Sequence, residues 1–151
     1  AAGVDVGIGV DGSASNDGSH LLGEARQAML LARVKEGITG FSLSSEGRKL
    51  MTAREALHLA TRGGAAVLGR NDIGALEVGK AADFFAVKLN SLDYAGALHD
   101  PVAATIFASP VKANYTVVGG KFVIKEGQLV TVDERKLVEK HNLAAKRLLD
   151  R

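Results

Sequence analysis

The chain has 151 residues, 46% of them hydrophobic, and its 19 basic and 17 acidic side chains leave a formal net charge of +2. This balance is typical of a globular protein with one hydrophobic core, and it excludes the strongly basic surface that nucleic-acid binding requires. The sequence contains no cysteine, which excludes disulfides, thiolate nucleophiles and cysteine-bound zinc, so any metal has to be held by His, Asp or Glu.

The first predicted element is a strand that leads into a polar loop between Val4 and Ser19. β-Branched residues occupy every second position from Val4 to Val10, so they share one face of an extended chain. Asp11 lies on the other face, which is nearly bare because two of its positions are glycine. Such a strand suits a parallel sheet or barrel that is covered by the helix that follows it.

The glycines of this strand, Gly7 and Gly9, form with Gly12 the pattern GxGxxG of dinucleotide-binding loops. Against that function, Asp11 would put a negative charge beside the phosphates, and no second strand is predicted after the helix. We therefore interpret the glycines as an open inner face, and Asp11 as a metal ligand or general base at the C-terminal end of a barrel strand. An aspartate that only caps the loop is the structural alternative, and the pattern alone leaves it open.

Two helices are predicted in the first half of the chain. Apolar residues at helical spacing predict the first from about Ser19 to Glu36. The second begins near Thr52, which has capping-box spacing to Glu55, and Gly63-Gly64 is expected to interrupt it.

Strands and turns are predicted in the second half. The apolar run from Asp83 to Val87 predicts a strand, and Gly119-Gly120 predicts a tight hairpin between strands 115–118 and 121–124.

Two further helices are predicted around these strands. Asp100-Pro101 has the residue types that cap and open a helix, which we expect to extend to about Ala108. A capping-box pattern at Thr131 and Glu134 predicts a final helix that ends near Leu149. Its apolar residues are expected to pack on the rest of the protein: Leu137, Val138, Leu143, Ala144 and Leu148.

Four segments resemble, in order, the C-terminal part of one enzyme superfamily, and they cover nearly the whole chain. They are 9–34, with the run GVDGSASND followed by LLGEARQAMLLARV, then 51–70, 74–87 and 117–130. The chain resembles the amidohydrolase superfamily, in the branch of 8-oxoguanine deaminases and hydroxyatrazine ethylaminohydrolases. The first segment is fairly specific to that branch, whereas the turn from Gly79 to Asp83 marks the superfamily broadly.

The resemblance implies an α/β fold, namely the C-terminal fragment of a metal-dependent (β/α)8 hydrolase barrel plus strands of a small β-sandwich. Residues 1–72 would contain the last barrel strand and the C-terminal barrel helices. Residues 73–130 would form a mainly β-sandwich segment with a short helix near 100–108, and residues 131–151 the C-terminal helix. The chain is accordingly expected to be a fragment or a processed product.

The resemblance also implies the chemistry. Members hold a divalent metal, commonly zinc, through a His-x-His pair, later histidines and the aspartate of the last strand, which Asp11 matches. The metal acidifies a water molecule, and the aspartate takes the proton and later delivers it to the leaving amine. The implied activity is hydrolytic deamination of an 8-oxoguanine-like heterocycle. The alternatives are an s-triazine aminohydrolase that releases an alkylamine and a non-catalytic folded or assembly module.

The sequence departs from this pattern in its histidines. His20, His58, His99 and His141 are scattered, and no His-x-His is present. A catalytic zinc usually has about three protein ligands, so we expect this chain alone to retain no metal and to be inactive. His20 is also a candidate for the rim of the substrate pocket.

Two polar residues of the loop, Ser13 and Asn16, have two interpretations. They belong either to the rim of the substrate pocket or to the cap of the following helix, and the pattern favours capping.

The expected partner is a small heterocyclic amine, with neither nucleic acid nor membrane. No apolar run reaches the roughly 20 residues that span a membrane, and the first residues do not resemble a signal peptide. We therefore expect a cytoplasmic protein. A truncated barrel exposes a sheet edge and apolar helix faces, so association into a homo-oligomer or through those surfaces is also expected.

Overall fold

The computed structural model describes residues 3–39, 50–108 and 112–150, and every structural statement refers to these ranges. The chain divides into two compact units, one of residues 1–80 with 89–111 and one of residues 81–88 with 112–151. This division is discontinuous along the chain, whereas the division drawn from the sequence followed chain order.

The first unit is helical. Its elements are α1 (Leu21–Thr39), α2 (Ala53–His58), a π-helical turn (Leu59–Gly63), α3 (Gly64–Val67), a 3-10 turn (Leu92–Tyr94) and α4 (Pro101–Phe107). Helix α1 begins and ends within three residues of the predicted bounds. In contrast to the prediction, Gly63-Gly64 does not interrupt the second helix, because the chain continues from α2 through the π turn into α3.

The caps predicted for α2 and α4 are confirmed. The Thr52 hydroxyl accepts the Glu55 N–H over 3.2 Å, and the Glu55 carboxylate accepts the Thr52 N–H over 2.8 Å, which completes a capping box. Oδ1 of Asp100 accepts the N–H groups of Val102 and Ala103, each over 3.1 Å, ahead of α4. These side chains satisfy backbone donors that a helix N-terminus leaves unpaired.

The core of the first unit lies where α1, α2 and α4 meet. Its buried residues are Ala25, Met29, Ala53, Ala56 and Ile106. The alanines allow the helices to approach closely around Met29 and Ile106, the largest fully buried side chains. Arg33 of α1 links this helix to α4 and to the residue that precedes the cap of α2, since its Nε donates to the Met51 carbonyl over 2.8 Å and its guanidinium lies 5.4 Å from the Phe107 ring centroid.

The predicted opening strand is absent from the described residues, where 3–12 form an extended segment without strand pairing. A strand needs a neighbour to pair its backbone N–H and C=O groups, and no described residue of the first unit forms a strand beside this segment. Instead, the Ile8 N–H donates to the Leu59 carbonyl over 3.3 Å. Ile8 packs against the core, whereas Val4 and Val6 are exposed.

The second unit contains an antiparallel sheet in the order β1-β2-β3-β4 and a terminal helix. The elements are β1 (Phe84–Ala86), β2 (Tyr115–Val118), β3 (Lys121–Lys125), β4 (Gln128–Leu129) and α5 (Glu134–Leu149). The predicted hairpin is confirmed. Gly119 and Gly120 have φ of +55° and +76°, and the Asp83 carboxylate accepts the Gly119 N–H over 2.5 Å.

Helix α5 differs from its prediction in two ways. Its cap is Asp133, which accepts the Lys136 N–H over 3.1 Å, rather than Thr131. Its side chains are all exposed, so the predicted packing of its apolar residues does not occur within the described residues. None of the helices described is long and apolar enough to cross a membrane.

Candidate active site

Asp11 ends the extended segment in a conformation that most residues avoid. Its φ is +62°, in the left-handed region, where aspartate is tolerated because its short side chain hydrogen-bonds locally. Here Oδ1 accepts the Gly12 N–H over 2.8 Å. The Gly12 carbonyl then accepts the N–H groups of Ser15 and Asn16, each over 2.9 Å, so the chain turns sharply after Asp11. The carboxylate is exposed at this turn.

The loop after Asp11 is attached to α1 by Asn16. Its Nδ2 donates to Oε1 of Glu24 over 2.7 Å, and its Oδ1 accepts the Gly18 N–H over 3.1 Å. Asn16 is half-buried, so it holds the loop in one shape.

His20 immediately precedes α1, and its Nδ1 accepts the Gly23 N–H over 2.9 Å. This bond satisfies a donor in the first helical turn, as a capping side chain does. His20 also lies at one end of an open groove of about 640 Å³ in the first unit. Ser13 lies exposed in the turn after Asp11, and neither Ser13 nor Asp11 lines the groove.

The groove runs between α1 and α4 and is mainly apolar. Its lining includes Leu22, Leu30, Leu31 and Val34 of α1, with Thr105 and Ile106 of α4. The Nε of Arg26 is buried there and has no hydrogen-bond partner among the residues that the structure describes.

The described residues do not complete a metal site. They contain no group of three or more His, Asp or Glu side chains that could hold an ion. His58 ends α2, His99 precedes the cap of α4, and His141 lies on α5. Asp11 is thus one exposed carboxylate donor, whereas zinc in catalytic sites has about three protein ligands. The donors of the described residues alone do not fit a catalytic zinc.

Sequence reasoning missed the contact that supports the segment before Asp11. Gly7 was assigned to an open face, yet it lies against the backbone of Gly63 and Gly64. Gly9 does face open space. The glycine pair in the second helix was the available signal, because paired glycines inside a helix indicate a close approach by another backbone.

Comparison with known proteins gives consistent matches. A sequence model of the Amidohydrolase family matches residues 1–123. An 8-oxoguanine deaminase of Pseudomonas aeruginosa is 40% identical over 149 residues, which are 99% of this chain and 31% of that protein. A hydroxydechloroatrazine ethylaminohydrolase of Pseudomonas sp. strain ADP is 46% identical over 140 residues, 91% of this chain and 27% of that protein.

Solved structures agree with these matches. The crystal structure of atrazine chlorohydrolase TrzN from Arthrobacter aurescens TC1 complexed with zinc superposes with a TM-score of 0.82 at 38% identity, over 93% of this chain and 30% of that one. The structure of an adenosine deaminase from Xanthomonas campestris with bound zinc superposes with a TM-score of 0.80 at 30% identity, over 98% of this chain and 32% of that one. The α/β class predicted from the sequence is confirmed by these neighbours and by the observed helices and strands.

The chain spans between 27% and 32% of the length of these four proteins. The family match nevertheless covers most of the chain, and its described structure superposes closely on members that are much longer. The chain therefore belongs to the amidohydrolase family.

Proposed function

We propose that the chain is part of an enzyme that hydrolytically deaminates an amino-substituted nitrogen heterocycle similar to 8-oxoguanine. The observation that carries this proposal is the 40% identity to an 8-oxoguanine deaminase over 99% of the chain. Deaminases of adenosine derivatives are also among the similar proteins. These deaminases share one reaction class, the hydrolysis of the bond between a ring carbon and its exocyclic amino nitrogen.

We further propose the place of the chain in the full-length fold. Residues 1–72 would supply the last strand and the C-terminal helices of a (β/α)8 barrel, and the sheet of the second unit would form part of a small β-sandwich. The extended segment 3–12 would become a strand once a neighbouring barrel strand pairs with its backbone. Asp11 would then lie at the C-terminal end of that strand, where barrel enzymes build their active sites.

Asp11 has the chemistry that the reaction needs. Water adds to the ring carbon and ammonia leaves, so one group must remove a proton from water and return it to the departing nitrogen. Oδ1 of Asp11 is engaged by the Gly12 N–H, and Oδ2 accepts no hydrogen bond from the described residues. We assign the proton transfer to Oδ2, with the Gly12 N–H fixing the orientation of the carboxylate.

The proposed cofactor is a divalent metal, zinc by analogy with the zinc-bound neighbours. Asp11 would be one ligand in the full-length enzyme, and the other ligands would lie outside this chain. The 151-residue chain is accordingly expected to hold less than about 0.1 equivalent of zinc after dialysis, since one carboxylate is far short of a zinc ligand set. Stoichiometric zinc that survives dialysis would contradict this assignment.

The decisive experiment measures ammonia release from 8-oxoguanine by the full-length protein and its Asp11→Asn variant. Asparagine also tolerates a left-handed backbone, so the substitution removes the proton acceptor and the anionic metal ligand while the turn is preserved. We expect kcat to fall by at least about 10³-fold. Asp17→Asn is the matched control, because Asp17 is an exposed carboxylate of the same loop.

Three outcomes would contradict the proposal. Retained turnover in Asp11→Asn would refute the proton-transfer role. Release of ethylamine from an N-ethylamino-s-triazine, with 8-oxoguanine untouched, would move the substrate to the triazine class. No turnover of either substrate by the zinc-loaded full-length protein would favour a non-catalytic module.

We also propose that the chain associates with copies of itself through apolar surface on α1. Leu31, Val34 and Ile38 are 59%, 55% and 73% exposed and lie along this helix. Large exposed apolar surfaces favour association. Sedimentation of the 151-residue chain should show a weight-average mass that rises with concentration, and a concentration-independent monomer would contradict this.

A further inference from the structure

Two backbone segments are in direct contact, with no side chain between them, at Gly7 and Gly63. Gly7 lies four residues before Asp11. Gly63 of the π turn is buried, and a Cβ built on it would lie 2.3 Å from the Val6 carbonyl oxygen. Reciprocally, a Cβ on Gly7 would lie 2.9 Å from Cα and 3.0 Å from N of Gly64. All of these neighbours are backbone atoms, so neither position accepts a side chain unless one of the two segments moves.

The neighbouring glycines do not share this constraint. A Cβ on Gly64 or on Gly9 would meet nothing within 4 Å. The steric constraint therefore applies to Gly63 but not to Gly64, and to Gly7 but not to Gly9. It is a specific backbone contact rather than a general consequence of a glycine-rich sequence.

A hydrogen bond aligns the same two segments. The Ile8 N–H donates over 3.3 Å to the carbonyl of Leu59, the first residue of the π turn. Single π turns within helices are frequent at functional sites. The contact holds the chain at Val6 to Ile8, and only Gly9 and Val10 separate Ile8 from Asp11, so a shift of this segment is transmitted to the carboxylate.

We infer that Gly63, with Gly7 facing it, is a positioning residue for Asp11, which rests on the proposed role of Asp11 in deamination. In Gly63→Ala the Val6 oxygen has to retreat from 2.3 Å to at least 3.0 Å, a shift of about 0.7 Å. A misplacement of about 1 Å at a reacting group costs about 10²-fold in rate. In Gly7→Ala the distance of 2.9 Å needs a smaller adjustment, so a smaller loss follows.

The experiment compares three alanine variants of the zinc-loaded full-length enzyme: Gly63→Ala, Gly7→Ala and Gly64→Ala. We expect kcat to fall by about 10- to 100-fold in Gly63→Ala and by about 3- to 10-fold in Gly7→Ala, with KM within about 3-fold of wild type. Gly64→Ala is the matched control, and its kcat should stay within about 2-fold of wild type. Thermal unfolding is recorded for each variant, so that kcat is compared between folded proteins.

A structural readout separates this inference from the proposed function. Crystal structures of the wild type and Gly63→Ala full-length proteins should show the Asp11 carboxylate displaced by about 0.5 Å or more. If the wild type does not deaminate 8-oxoguanine, the proposed function fails, yet this displacement still decides whether Gly63 positions Asp11. If Gly63→Ala does not fold, kcat and the crystal structure of the milder variant Gly7→Ala test the inference instead.

Two results would overturn the inference. One is a Gly63→Ala enzyme that unfolds at a lower temperature but keeps the wild-type kcat, which would make the contact purely structural. The other is an equal loss of kcat in Gly63→Ala and Gly64→Ala, which would show that any substitution in this helix has the same effect.

Discussion

The side-chain amide of Asn16 donates to the carboxylate of Glu24 over 2.7 Å and thereby joins the loop after Asp11 to the first turn of α1. The same amide accepts the Gly18 N–H, so both of its ends are bonded. The bond to Glu24 is part-buried and involves an ionised acceptor, the kind of hydrogen bond that contributes most to stability. The shape of the loop therefore depends on the two side-chain hydrogen bonds of Asn16.

Replacing Asn16 with alanine should lower the free energy of unfolding by about 1–3 kcal/mol, because it leaves the Glu24 carboxylate and the Gly18 N–H without these partners. Urea unfolding of the full-length protein, followed by circular dichroism, measures this change. Glu24→Gln is the matched control, since its amide oxygen still accepts from Asn16, and it should cost less than half as much. Equal stability of Asn16→Ala and wild type would show that the loop does not depend on this bond.

Substitutions of Met29 measure how much the packing of the helical core contributes to the free energy of unfolding. Met29 is fully buried between α1, α2 and α4, so Met29→Ala removes buried methylene groups and leaves a cavity that costs about 2–5 kcal/mol. Met29→Leu nearly conserves the volume and should cost less than about 1.5 kcal/mol. Urea unfolding of the two variants gives both values. A loss for alanine no larger than that for leucine would mean that the surrounding helices collapse around the smaller side chain.

The helices and the hairpin were predictable because local residues determine them. Thr52 and Glu55 form the predicted capping box, Asp100 caps α4, and Gly119-Gly120 turns the hairpin. Each signal acts within a few residues of sequence, which is the range that pattern reasoning covers. The α/β class and the family followed from longer motifs, whose meaning came from resemblance.

The extended segment before Asp11 was not predictable in the same way. Alternation of apolar residues describes which face a strand buries, but pairing depends on a neighbouring strand, and none lies beside residues 3–12 in the described structure. The contact between Gly7 and Gly63 joins positions 56 residues apart. The sequence shows both glycines, but it does not show that they meet.

The hairpin turn gives a test of backbone conformation. Gly120 has φ of +76°, which glycine adopts without steric cost and most other residues do not. Gly120→Val should lower the free energy of unfolding by at least about 1–2 kcal/mol. Gly120→Asn tolerates the left-handed region better and should lose about half as much or less. Thermal unfolding of both variants and the wild type, measured side by side, gives the two losses of stability. Equal losses for Gly120→Val and Gly120→Asn would show that the hairpin does not depend on this backbone conformation.

Asp100 makes the stability of α4 depend on pH. Its pKa lies below the ordinary value of 3.8, chiefly because the Ala103 N–H donates to the carboxylate, with help from the Arg54 guanidinium and the Val102 N–H, whereas desolvation opposes the shift. A lowered folded-state pKa means that the native state favours the ionised form. The resulting stabilisation is fully present above the unfolded-state pKa and is lost as the pH falls through the folded-state value.

Asp100→Asn should therefore lower the melting temperature by a constant amount between pH 6 and 8 and by progressively less below about pH 4. Thermal unfolding of wild type and variant across this range gives the difference directly. Arg54→Ala is the control for the ion pair. Its partners are 3.1 Å apart but largely exposed, with 62% of the Arg54 side chain accessible, so it should change the melting temperature little. A difference between wild type and Asp100→Asn that stays constant down to pH 2 would show that the neutral acid caps α4 as well as the carboxylate does.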